Sequence, residues 1–143
     1  MLKLPIEFFS KAVSLESQLT PWTIVSGDQS GVCSVPLEFG GPGGGFSPED
    51  LYLQALINCF VGTFKVYAQG SKIEYQKLEV FGTLLVNQNS DRKTTMEKCQ
   101  LKVDLFGVNR PDRVQALVDK VFRDGFILNS VKTEISHQLT LHE

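Results

Sequence analysis

Cys59 and Glu49 are the residues of this 143-residue chain whose types and setting point to chemistry. A thiolate attacks one oxygen of a peroxide and becomes a sulfenic acid, which a second thiol can reduce. A free thiol has a pKa of about 8.5 and apolar burial raises it, so a reactive cysteine needs a cation or amide dipoles beside it. The competing account is structural, since free cysteine is among the most buried residue types and packs as a small apolar residue. Glu49 has a plain account too, as an acid at the positive end of a helix dipole. Ten positions separate the two, about 15 Å of rise on one straight helix. Sharing a pocket would therefore require a second chain or a break in the helix.

Both residues lie in the segment 40–60, GGPGGGFSPEDLYLQALINCF. Ser47 has the side chain of a helix N-cap, Pro48 suits the first helical position, and Glu49 and Asp50 suit the first turn. The spacing predicts a central helix over about 48–69, ended by Gly70-Ser71. It is apolar almost all round: Leu53, Ala55, Leu56, Ile57, Cys59, Phe60, Val61, Phe64. Such a helix is normally buried. A single chain of this length covers it poorly, which argues for a homodimer.

Period-two patterns predict strands at 5–13, 22–26, 32–37, 73–87, 93–106 and 131–141. In 93–106, Cys99, Leu101, Val103 and Leu105 share one face, and Lys98, Gln100, Lys102 and Asp104 the other. After a turn at 107–112, Val114, Leu117, Val118, Val121 and Phe122 mark a second, amphipathic helix. Gly125 reads as its left-handed terminator. Mostly antiparallel strands with two helices make an α+β fold, read as a single domain over 1–143.

Composition narrows the function. A net charge of −2 with no Lys/Arg cluster gives no footprint for nucleic acid. No apolar run approaches the roughly 18 residues of a membrane span. Pro5, Glu7 and Lys11 interrupt the N-terminal apolar stretch, so no signal peptide is expected and the compartment is read as cytoplasmic. Three cysteines without a repeated spacing suit neither a disulfide framework nor a zinc ribbon, and no histidines and acids show metal-ligand spacing. No cofactor is expected. The glycine run 40–45 lacks the Gly-Lys-Ser/Thr ending of a phosphate loop, and Glu49 would repel a phosphate. His137 shares strand parity with Ile135 and Leu139, which suits a hydrogen-bonded core or interface histidine.

The segment resembles the OsmC/Ohr family of thiol-dependent peroxide-defence proteins. The family's glycine-rich loop, (S/N)-P-E-x-L and C-F appear as Gly40-Gly41, Ser47-Pro48-Glu49-Asp50-Leu51 and Cys59-Phe60. The order of elements agrees along most of the chain. The resemblance implies an intertwined homodimer, with Cys59 matching the peroxidatic cysteine and Glu49 the family's glutamate. Two positions depart from the pattern. The family's resolving cysteine lies in C-P-x-S after the second helix, where this chain has Gly125-Phe126-Ile127-Leu128-Asn129-Ser130. Its N-terminal arginine has no counterpart, because Arg92 is the first arginine here and only Lys3 and Lys11 precede residue 48. Lysine lacks the planar fork of arginine. Arg123 is a candidate cation from another direction.

Two readings follow. In one, Cys59 reduces a small apolar hydroperoxide and an external thiol completes the cycle. In the other, a non-catalytic dimer binds a small apolar ligand in a pocket lined by residues such as Phe60, Phe64 and Phe126.

Overall fold

The computed structural model describes residues 2–143. The chain divides into two compact units, the first ending at Tyr52 and the second starting at Leu53.

In the first unit, β1 (Lys11–Val13), β2 (Trp22–Ser26) and β3 (Gln29–Cys33) form an antiparallel meander. The first expected strand, 5–13, is thus reduced to its last three residues, the third, expected at 32–37, lies earlier at Gln29–Cys33, and Leu37–Phe39 is a short 3-10 turn. The glycine loop follows and packs tightly: a Cβ on Gly41 would collide with the Val35 carbonyl oxygen. This is a close backbone approach that only glycine permits. Helix α1 (Pro48–Gly70) then begins with a reciprocal cap. The Asp50 amide donates to Ser47 Oγ and the Ser47 amide to Asp50 Oδ2, both at 2.9 Å.

In the second unit, β4 (Lys77–Gln88) and β5 (Thr94–Phe106) form a long antiparallel hairpin with an irregularity between Leu85 and Val86. Helix α2 (Pro111–Asp124) leads to β6 (Glu134–His142), and the sheet order is β4-β5-β6. The α+β class holds, but the sheet is mixed rather than antiparallel, since β6 runs parallel to β5. Helix α2 and the segments flanking it carry the chain back along the sheet, as a parallel crossover requires.

Alternation on β5 sets the core as expected. Cys99, Leu101, Val103 and Leu105 are buried with Val114, Val118 and Val121 of α2. From α1, Leu56, Phe60, Phe64 and Ala68 point inward at a spacing of four. Phe60 stacks on Phe64 at 5.7 Å between centroids and meets Phe122 of α2 at 5.1 Å. Gly82 on β4 has no side chain where the tips of Leu53 and Ile57 press against the sheet. On β6, His137 lies flat on Phe122 at 3.9 Å, with Nε2 3.7 Å from Asp119 Oδ1.

Candidate functional site

Cys59 sits one residue before Phe60 and so turns away from the inward stripe of α1. It is half-buried rather than fully buried, and its thiol is free. It lines an open cavity of about 380 Å³ together with Asn58, Gly62, Thr63, Val66, Tyr67, Asp124, Phe126 and Ile127. Positions 62, 63, 66 and 67 follow Cys59 at +3, +4, +7 and +8, the helical spacing that puts them on its face. That spacing was available in the sequence, and Phe126 was expected in the wall; the contribution of Asp124 and Ile127 was not. Phe60 and Phe64, expected beside the thiol, are fully buried in the core instead, against each other, Phe122 and Tyr75.

The segment after α2 forms the far wall. Gly125 is not a left-handed terminator: its φ of −61° and ψ of 128° are extended, and it is buried. Its glycine identity has a different cause. A Cβ there would lie 3.1 Å from Cys59 Sγ, 3.0 Å from Leu128 Cδ1 and 3.0 Å from the Val121 carbonyl oxygen. The turn is fastened by its own hydrogen bonds. The Asn129 amide donates to the Gly125 carbonyl at 2.9 Å, Asn129 Nδ2 to that of Arg123 at 2.6 Å, and Ser130 Oγ to that of Phe126 at 2.6 Å. Leu128 is buried beneath it, which leaves Phe126 and Ile127 facing the cavity.

The polar side of the cavity is acidic. Tyr67 donates a long hydrogen bond of 3.4 Å to Asp124 Oδ2. Desolvation, and after it the Asp124 carboxylate, holds the Tyr67 phenol above its ordinary value of 10.0. Arg123 Nε lies 3.3 Å from Asp124 Oδ1, but its side chain is 68% exposed and it is not a lining residue. Lys120 Nζ stands 4.4 Å over the Tyr67 ring and borders a separate cavity with Arg113 and Asp112. Among the described residues, no cation lines the Cys59 cavity.

Glu49 is placed in the first turn of α1, in the first unit, and is not among the residues lining the cavity. Its Oε1 is shielded from solvent and has no hydrogen-bond partner among the described residues. Cys33 and Cys99 are both buried on strands, as their parity suggests, and burial pushes the Cys99 thiol up. Among the described residues, no group of three or more His, Cys, Asp or Glu is placed to hold a metal ion. Among them, too, no helix is long and apolar enough to cross a membrane.

The model of the OsmC-like protein family matches residues 41–140, from the glycine loop into the last strand. The chain belongs to the OsmC-like family. Its fold is similar to that of an OsmC-like protein from Mycoplasma pneumoniae, with a TM-score of 0.83 at 19% identity over 98% of this chain and 100% of that one. An OsmC-like protein of unknown function from Vibrio cholerae gives 0.84 at 16% identity, over 95% and 100%. An organic hydroperoxide resistance protein of Bacillus subtilis gives 0.67 at 20%, over 95% and 98%. No curated protein matches in sequence. At these identities the solved structures carry the OsmC-like fold alone.

Proposed function

We propose that this OsmC-like protein reduces small apolar hydroperoxides at Cys59 and is regenerated by an external thiol. The observation that carries the reading is a free, half-buried thiol opening onto a cavity walled by Val66, Phe126, Ile127 and the Tyr67 ring. Such walls suit an apolar tail, with the polar hydroperoxide end toward the sulfur. The Cys59 thiolate attacks the terminal peroxide oxygen and the O–O bond breaks. The leaving alkoxide takes up a proton and departs as an alcohol, leaving Cys59 as sulfenic acid. One external thiol then displaces water to form a mixed disulfide, and a second releases reduced Cys59. With Gly125 beside the sulfur, this chain has no thiol of its own at that position.

In this reading the whole chain acts as one OsmC-like domain in a homodimer, in a reducing, cytoplasmic compartment. Glu49 is the second functional residue, brought into play by the partner subunit. Its shielded and unsatisfied Oε1 supports that assignment, because a buried acceptor is costly without a donor. The rival, a non-catalytic binding dimer, is favoured by the lack of a lining cation to support the thiolate.

Turnover of cumene hydroperoxide with dithiol and monothiol reductants separates the two. The enzyme reading expects turnover that Cys59→Ser abolishes. Binding of the hydroperoxide's alcohol product without any turnover would select the rival.

A further inference from the structure

We propose that Asp124 makes the Cys59 cavity select uncharged substrates over those carrying a carboxylate, a statement about substrate class that rests on the hydroperoxide reading above. Of the lining residues other than the thiol, Asn58, Thr63 and Tyr67 are neutral near pH 7, and the rest are apolar or glycine. Among the described residues Asp124 is the single charge in the wall, with a side chain 37% exposed. The nearest cations do not cancel it inside the cavity. Arg123 reaches Asp124 from a strongly exposed position, where water and salt screen it, and Lys120 caps the Tyr67 ring from outside the lining.

A substrate carboxylate in this cavity would meet a like charge at the partly shielded Asp124. A neutral hydroperoxide does not. Tyr67 already registers the same field: burial and Asp124 together oppose a negative charge on its phenol oxygen. The residue thus acts on specificity, by excluding one charge class rather than by touching the reacting oxygen.

Two reagents of nearly equal size and opposite charge class read this directly. Alkylation of Cys59 by iodoacetamide and by iodoacetate is followed by peptide mapping. The amide-to-acetate rate ratio is compared with that of free cysteine in the same buffer. The expected ratio exceeds the free-cysteine value by about tenfold, shrinks by about threefold or more in Asp124→Asn, and persists in Asp124→Glu. A long-chain fatty acid hydroperoxide and its methyl ester form the matched substrate pair. The ester-to-acid ratio of kcat/KM is expected to follow the same variants, through KM. A ratio equal to that of free cysteine, a preference for iodoacetate, or a ratio unmoved by Asp124→Asn overturns the inference whether or not the protein turns over peroxide. Charge selection in alkylation without hydroperoxide turnover sinks the peroxidase reading and the substrate assignment with it, leaving Asp124 as the cavity's charge filter. Because iodoacetate probes the folded protein, retention of the wild-type circular dichroism spectrum in each variant is part of the measurement.

Discussion

Gly125 keeps the space beside the Cys59 sulfur open. The 3.1 Å between a Cβ at this position and Cys59 Sγ is close to the roughly 3 Å that separates a Cβ from the far sulfur across a relaxed disulfide. Gly125→Cys is therefore expected to form an intramolecular disulfide with Cys59 under mild oxidation. Intact mass should show the loss of two hydrogens, and peptide mapping should join the two segments. The wild-type chain, treated alike, should instead give Cys59 sulfenic acid or mixed disulfides and over-oxidise readily. An internal disulfide from Cys59 to Cys33 or Cys99 in the wild type would contradict the burial of those two thiols.

Helix α1 serves two environments along one length. Its inward stripe, Leu56, Phe60, Phe64 and Ala68, is buried in the core, and the adjoining face carries Cys59, Thr63 and Val66 to the cavity. Loss of an inward residue should damage the fold, not the cavity alone. Phe60 is fully enclosed and contacts two aromatic rings, so Phe60→Ala should cost about 3–5 kcal/mol in urea unfolding. Val66 is 66% exposed, and Val66→Ala in the isolated chain should stay within about 0.5 kcal/mol. A large loss from Val66→Ala would mean that a second subunit covers this face.

The whole molecule leaves much apolar surface uncovered in a single chain. In the first unit Phe8 and Leu15 are each 92% exposed; in the second, Val66, Phe81 and Phe126 are exposed. This exposure is the basis for the proposed homodimer. Sedimentation velocity at micromolar concentration should show a dimer, and a stable folded monomer would remove the proposed role of Glu49. Stability should also fall in alkali. Burial raises the Cys99 thiol above its ordinary value, so the folded state holds the proton that the unfolded chain releases. The contribution is complete below about pH 9 and is lost as the pH rises through the folded value. Tyr67 acts with the same sign from its ordinary 10.0 upward. Urea midpoints under reducing conditions should therefore drop above pH 9, less steeply in Cys99→Ala.

Patterns short enough to be enforced by neighbouring backbone were legible before any coordinates. Ser47-Pro48-Glu49-Asp50 dictates where α1 starts, because free amides of a first turn need local acceptors. Alternation from Cys99 to Leu105 determines which face of β5 is buried, because strand side chains alternate. The thiol at 59 and the carboxylate at 49 could be singled out the same way. The parallel pairing of β6, the extended backbone at Gly125 and the half-exposure of Cys59 were decided only by the tertiary structure. So was the placement of Asp124 and Ile127 beside Phe126 opposite the thiol. Those contacts join residues far apart in the chain through the path of α2 across the sheet. No local periodicity encodes which residues such a crossover brings face to face.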